Sequence, residues 1–197
     1  MKIKINRWVR FGSLVALVGT IALPLHGCVA MVAGGAAMGT LSATDRRTLG
    51  AQTEDKSIVV RSHTVIRDEI GSTGNVNVTS FNRKVLVTGE VPNEAVKEKV
   101  SRSLRSLQGV EGVTDELAVT WSSSFTSRSN DALITSKVVA NLLADNEVNL
   151  NQFKVTTERG NVYLMGIVTQ KEALAATQIA RKISGVKSVV KVFDYID

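Results

Sequence analysis

The sequence predicts an α+β fold of two tandem domains, each with the element order α-β-β-α-β and a small three-stranded mixed sheet covered by two helices. The first observation is an internal repeat: residues 78–91 and 155–168 share identical residues 77 positions apart, namely Val78/Val155, Thr79/Thr156, Val85/Val162, Gly89/Gly166 and Val91/Val168. The second is that each copy contains two β-branched runs separated by a polar turn, which is typical of a β-hairpin. The third is that segments with helical periodicity flank both hairpins.

The repeat extends beyond the hairpins. Matching residues occur 76 positions apart, before the hairpins and after them: Asp55/Asp131, Ile58/Ile134, Gly109/Gly185, Val110/Val186 and Val113/Val189. Chance similarity between valine-rich strands does not explain why the glycines and the order of elements agree as well. Two copies with a period of this length indicate a duplicated domain rather than a solenoid.

The elements of the first copy follow from local signals. Asp55 is expected to open a helix, because a carboxylate is favourable at the positive N-terminal end. Strands are expected at residues 76–80 and 85–91. A second helix after Pro92 has apolar residues at helical spacing: Val96, Val100, Leu104 and Leu107. A third strand then carries three apolar residues on one face: Val113, Leu117 and Val119.

The second copy repeats this order. A helix starting near Asp131 is expected to bury Ile134, Val138 and Leu142. The hairpin at residues 151–168 has a period of two, which places four residues on one face: Val162, Leu164, Gly166 and Val168. Thr169 and Glu172 have the spacing of a capping box at the start of the next helix. Residues 186–196 form the last predicted strand.

Changes in composition divide the chain. We expect a signal at residues 1–27, a lipidated N-terminus and tether at 28–54, a first domain at 55–120, a Ser-rich linker at 121–129 and a second domain at 130–197. Gly89 and Gly166 lie inside strands, where we expect them to allow the close approach of a helix. Trp121 and Phe125 interrupt the linker, and either pack onto the edge of a domain or contact a membrane or partner.

The N-terminus has the parts of a secretory signal. Four basic residues precede an uncharged apolar segment at 11–25, which is shorter than the roughly 20 residues of a membrane-spanning helix. Leu25 and Gly27 stand at −3 and −1 before Cys28, as in bacterial lipoprotein signals. This resemblance implies a diacylglycerol and an acyl chain on Cys28 and, with no aspartate at position 29, an outer-membrane protein that faces the periplasm. An uncleaved membrane-spanning anchor and plain cleaved secretion are the alternatives.

Composition argues against several functional classes. The net charge of +6 falls to +2 without residues 1–27, which leaves 20 basic against 18 acidic side chains and gives little support for nucleic-acid binding. The single cysteine permits no internal disulfide. No phosphate-binding loop, metal-ligand cluster or catalytic constellation is recognisable, and His63 on a helix is expected to be solvated. We therefore expect no enzymatic activity, no metal, no other cofactor and no small-molecule substrate.

The element order, the Val-x-Leu/Val-x-Gly-x-Val hairpins at 85–91 and 162–168, and the later Gly-Val pairs resemble the BON domain. Two such domains behind a lipoprotein signal resemble the dual BON-domain outer-membrane lipoproteins. The resemblance implies a non-enzymatic protein that binds anionic phospholipid, chiefly through the first helix of its second domain, and helps to maintain outer-membrane integrity. The rival interpretation is a periplasmic adaptor for envelope assembly proteins, which would use exposed strand edges or helix grooves.

The resemblance places the phospholipid-binding residues on the predicted helix of the second copy: Leu133, Ile134, Lys137 and Val138. Leu133 and Val138 stand where the first copy has Ser57 and Ser62, so the two copies differ at this helix. Four basic residues without an intervening acid are candidate headgroup contacts: Arg181, Lys182, Lys187 and Lys191. The alternatives are core packing for Leu133 and Val138 and an ordinary solvated face for the basic residues.

Overall fold

The computed structural model describes residues 45–71 and 73–196, so the predicted signal, Cys28 and most of the tether lie outside the described residues. Within these ranges each copy has the predicted order of elements. The first copy comprises α1 (Leu49–Ile70), β1 (Asn75–Phe81), β2 (Lys84–Val91), α2 (Glu94–Arg105) and β3 (Gly112–Val119). The second comprises α3 (Phe125–Ala144), a 3-10 turn (Leu150–Gln152), β4 (Phe153–Glu158), β5 (Asn161–Val168), α4 (Gln170–Arg181) and β6 (Ser188–Tyr195).

Both sheets are mixed, as the sequence predicts. In the first, β2 lies in the middle, antiparallel to β1 and parallel to β3. In the second, β5 has the same place between β4 and β6. Each parallel pair is joined through a helix, which returns the chain along one face of the sheet. The predicted fold class is confirmed.

Each domain buries an apolar core between its two helices and one face of its sheet. In the first domain the alternating residues Val85, Val87 and Val91 of β2 are fully buried against residues of α1 and α2. In the second domain, the same role is taken by Val162, Leu164 and Val168 of β5, packed against apolar residues of α3 and α4. Burial on one face thus follows the predicted period of two.

The first helix of each domain begins earlier than expected. Thr48 caps α1 and Ser124 caps α3, each with its side-chain oxygen accepting a backbone N–H of the first turn. Helical structure therefore includes residues 49–54 and 125–129, which the sequence assigned to the tether and the linker. The prediction that Asp55 and Asp131 open these helices is wrong. Both are buried in the middle of a helix, where they bind the hairpin turns.

Gly89 and Gly166 occupy equivalent positions in β2 and β5, but the expected reason for them is wrong. A Cβ on Gly89 would lie 2.0 Å from the carbonyl oxygen of Asn75, and one on Gly166 would lie 2.6 Å from that of Gln152. The close neighbour is therefore the backbone at the start of β1 or just before β4, not a covering helix. Gly89 also has a φ of 114°, a conformation that side chains disfavour.

The second faces of the two sheets pack against each other, an arrangement that the sequence did not predict. Phe81 and Leu86 from the first domain form one buried apolar cluster with Tyr163 and Met165 from the second. Both central strands are therefore buried on both faces. The two domains form one compact unit over residues 44–197.

Polar contacts flank this cluster at both ends of the interface. The hydroxyl oxygens of Thr79 and Thr156, which are equivalent residues of β1 and β4, lie 3.4 Å from each other. The amide of Asn77 donates to the carboxylate of Glu158 at 3.0 Å. At the far end of the interface, Asp194 forms an ion pair with Lys84. The hairpin turn of each domain consequently lies beside the opposite end of the other domain.

Two buried carboxylates lie in this interface. Glu90 and Glu158 are 1% and 5% exposed, and Oε1 of Glu90 has no hydrogen-bond partner among the described residues. Burial raises the pKa of Glu158, and the negative charges of Glu90 and Asp131 raise it further, while the hydrogen bond from Asn77 opposes them. Burial and the nearby acids also raise the pKa of Tyr163 to about 12. The interface thus disfavours negative charge.

The residues just before α1 fasten the first domain to the second. The guanidinium of Arg46 binds both carboxylate oxygens of Glu172, at 2.7 and 3.0 Å, and donates to the carbonyl of Ile167 at 2.9 Å. The hydrogen bond from Arg46 is the main cause that lowers the pKa of Glu172. Arg47 binds Asp55 at 2.9 Å and lies over the ring of Phe81. We call residues 45–47 the strap.

Replacing Glu158 with glutamine is expected to raise the unfolding free energy at neutral pH. The raised pKa means that the folded state favours protonated Glu158, so this stabilisation is present below the unfolded pKa of about 4.3 and is lost as pH rises through the folded pKa. The difference between the Glu158→Gln variant and the unaltered protein should therefore grow with increasing pH. Urea unfolding across a pH series measures it. Glu98→Gln, at an exposed position, is the control, and an equal, pH-independent difference in both variants would contradict the prediction.

Candidate functional site

The structure separates the four predicted lipid-binding residues of α3 into two pairs. Leu133 is 60% exposed, and Lys137, one helical turn later, is also exposed. Ile134 and Val138 are buried in the core of the second domain. Their side chains cannot contact a membrane while the domain remains folded, so both are removed from the candidate site. Core packing, the alternative for Leu133, is not observed.

Asp131 fixes α3 against the hairpin of its own domain. Its two carboxylate oxygens accept hydrogen bonds from the backbone N–H groups of Arg159 and Gly160, both at 2.8 Å. These two turn residues have φ angles of 55° and 80°, so their N–H groups point away from the strand ladder. A second bond joins the hydroxyls of Thr135 and Thr157 at 2.8 Å. The direction of the exposed side chains on α3 is therefore set by the hairpin.

The loop after α4 lies next to the same part of α3. A Cβ on Gly185 would come within 3.0 Å of Cδ1 of Ile134, the neighbour of Leu133. The backbone N–H of Lys187 donates to the carbonyl of Gly160 at 2.8 Å. The turn at 159–160, the first half of α3 and the loop 182–187 therefore meet at one end of the domain. We call these three segments the turn end.

The structure divides the four candidate headgroup contacts between two places. Lys182, the C-cap residue of α4, and Lys187 belong to the turn end and are exposed. Arg181 and Lys191 instead line a groove between α4 and β6, which includes Leu174. The structure therefore does not place the four basic residues in a single cluster.

The exposed charges on α3 and on the loop 182–187 are all positive. Arg128 and Lys137 are exposed on α3, whereas its only acidic residue, Asp131, is 5% exposed and bound to the turn. Lys182 and Lys187 add two cations from the loop. An apolar side chain, Leu133, thus lies among cations without an exposed carboxylate on the same segments.

The first domain lacks this combination at its equivalent helix. Ser57 corresponds to Leu133, and its hydroxyl accepts a hydrogen bond from Arg61 at 2.9 Å. Ser62 corresponds to Val138, but both are buried, and the Ser62 hydroxyl donates to the carbonyl of Ile58. The difference at Leu133 therefore concerns the surface, while the difference at Val138 concerns the core.

Trp121 and Phe125 are the most exposed large apolar residues of the described chain, at 93% and 78%. The first of the two alternatives for them, packing onto the edge of a domain, is therefore not observed. Within residues 45–71 and 73–196, no helix combines the length and hydropathy needed to cross a membrane. The same residues contain no cluster of three or more His, Cys, Asp or Glu side chains that could hold a metal ion.

Comparison with known proteins yields a family match and several relatives. A family model for the BON domain matches residues 60–120 and 130–197. The chain is 41% identical over 175 residues to the outer membrane lipoprotein DolP of Haemophilus influenzae, covering 88% of this chain and 91% of that protein. It is 30% identical over 154 residues to a 21 kDa hemolysin of Actinobacillus pleuropneumoniae, with 77% and 79% covered. It is 34% identical over 133 residues to osmotically-inducible protein Y of Escherichia coli, with 66% of each covered.

Replacing Asp131 with alanine is expected to lower the unfolding free energy by about 3 kcal/mol, because it removes two hydrogen bonds to a charged acceptor, each worth about 1.5–3 kcal/mol. Asp131→Asn keeps one acceptor oxygen and should cost less. Urea unfolding of residues 44–197 measures both changes. Asp68→Ala, at an exposed position on α1, should have little effect. Equal losses in the alanine variants of Asp131 and Asp68 would disprove the role given to the turn contact.

Proposed function

Because the chain belongs to the BON-domain family and is similar over most of its length to an outer-membrane lipoprotein, we propose that it is itself an outer-membrane lipoprotein. It is acylated at Cys28, faces the periplasm and has no enzymatic activity. It binds anionic phospholipid through its second domain, and this binding helps to maintain outer-membrane integrity. The exposure of Leu133 among cations at the turn end is the observation that carries the proposal.

The two kinds of side chain contribute different parts of the binding free energy. Leu133 enters the boundary between headgroups and acyl chains, where its apolar surface leaves water. Lys137 stays at the depth of the phosphates, and each such cation contributes about 1 kcal/mol near an anionic leaflet. Lys182 and Lys187 meet the same surface from the neighbouring loop. Arg181 and Lys191, in the groove between α4 and β6, are secondary headgroup contacts.

The turn end also suits binding because it is rigid. Asp131 and the Thr135–Thr157 bond hold α3 on the hairpin, so little conformational entropy is lost when the exposed side chains meet lipid. No core residue has to leave its place, since Ile134 and Val138 face inward. The contact surface is thus preformed.

Leu133→Glu is expected to weaken binding to phosphatidylglycerol vesicles by at least about tenfold, because a carboxylate replaces the apolar contact and repels the phosphates. Flotation of residues 44–197 with vesicles measures it. Leu143→Glu is the matched control, because Leu143 is 70% exposed near the C-terminal end of α3 in the same domain, outside the turn end and outside the groove of Arg181 and Lys191. Lys137→Glu should cost about 2 kcal/mol at low salt and less at high salt, because ions screen surface charge.

Two results would contradict the phospholipid proposal. Equal loss of binding in Leu133→Glu and Leu143→Glu would show that a negative charge anywhere on the domain has the same effect. Binding that does not depend on lipid charge, or no binding at all, would favour the adaptor for envelope proteins. Urea unfolding of each variant checks that a loss of vesicle binding is not caused by unfolding of the protein.

Cys28→Ser is expected to prevent acylation and signal cleavage, because Cys28 is the only cysteine in the sequence. The precursor should accumulate at its full mass and be absent from the outer-membrane fraction. Mass spectrometry of the N-terminus and membrane fractionation check the two outcomes. A variant that still matures and fractionates with outer membranes would disprove the lipoprotein assignment.

A further inference from the structure

Trp121 and Phe125 lie where the first domain ends and α3 begins. Trp121 follows β3, and the N–H of Thr120 donates to the carbonyl of Val91, the last residue of β2. Phe125 is the first residue of α3. The two aromatic residues are four positions apart, and both side chains are exposed over most of their surface. Neither is part of the cores or of the domain interface.

The strand register places Trp121 at the same end of the molecule as the turn end. At the end of β2, Glu90 pairs with Asn75 at the start of β1. Asn77, two residues further along β1, donates to Glu158 beside the turn of the second domain. Asn77 and Arg128 also line one groove between β4 and α3. The end of the first domain that carries Trp121 is thus adjacent to the segments that present Leu133.

We infer that Trp121 and Phe125 form an aromatic contact with the headgroup region of the membrane, continuous with Leu133 of the turn end. Three large apolar side chains are then exposed on one end of the two-domain unit, beside the cations of α3 and of the loop 182–187. A tryptophan favours the membrane interface, because its apolar ring leaves water while its N–H keeps a polar partner. Cations beside it complement anionic headgroups.

This inference rests on the proposed phospholipid binding and adds a second point of contact to it. A single inserted side chain leaves the protein free to rotate about that point. Contacts from Trp121, Phe125 and Leu133 provide three points, which together fix the orientation of both domains on the membrane. Because the domain interface is packed, the three contacts act as one rigid surface.

The chain provides its own optical probe for this contact. The sequence contains two tryptophans, and Trp8 lies in the predicted signal, so Trp121 is the only tryptophan of residues 44–197. This fragment contains both cores and forms one compact unit, which makes it suitable for the test. With phosphatidylglycerol vesicles, we expect the emission of Trp121 to shift to the blue and its quenching by acrylamide to fall. Phosphatidylcholine vesicles should cause a smaller change.

Trp121→Ala and Phe125→Ala should each weaken flotation with phosphatidylglycerol vesicles roughly tenfold, equivalent to losing on the order of 60 Å² of apolar contact. Leu49→Ala is the matched control, because Leu49 is equally apolar and 70% exposed at the start of α1, away from the turn end. All three positions are on the surface, and urea unfolding checks that each variant keeps its fold.

The outcomes separate this inference from the proposed function. If the fragment binds phosphatidylglycerol but Trp121 stays quenchable, the aromatic contact is disproved while phospholipid binding stands. If the fragment does not bind the vesicles, both fail. A blue shift that appears without lipid as protein concentration rises would assign the aromatic pair to contacts between copies of the chain and overturn the inference.

Discussion

A buried carboxylate in the middle of a helix, bound to the backbone of a hairpin turn, is the interaction on which each domain depends. Asp55 accepts hydrogen bonds from the N–H groups of Asn82 and Arg83, and Asp131 from those of Arg159 and Gly160. Three of these turn residues are not glycine and have positive φ, which costs free energy that the hydrogen bonds offset. The contact fixes where the helix lies on the sheet, and thereby which helical residues remain exposed.

Duplication kept this framework and changed the surface around it. The same carboxylate, the same turn and the same strand glycine occur in both domains, while Ser57 and Leu133 give the equivalent helices different exposed faces. The interface uses the second face of each sheet, which leaves both helical layers on the outside. A pair of domains with this geometry can therefore differ in what each contacts without any change in how each folds.

The fold was largely predictable, because hairpins, glycines and helical periodicity are local signals that the repeat reinforces. The role of Asp55 and Asp131 was not predictable, because an aspartate before an apolar run also fits the start of a helix. The residues that cap these helices, Thr48 and Ser124, lie seven residues earlier. The domain interface left a signal that was overlooked: the runs through Leu86 and Met165 are apolar on both faces, which is typical of strands buried on both sides. Helical periodicity predicted the burial of Val138, and the structure confirms it, whereas the sequence left open whether Leu133 is exposed or packed in the core.

The strap determines how mechanical force enters the molecule. Through Arg46, whose guanidinium makes two bonds to Glu172, a pull along the chain before residue 45 is passed to the start of α4 in the second domain. Arg47 and Asp55 pass it at the same time to the hairpin of the first domain. The two domains therefore bear tension in parallel, although they are joined in series along the sequence. Force applied to the chain before residue 45 is therefore not carried by the first domain alone.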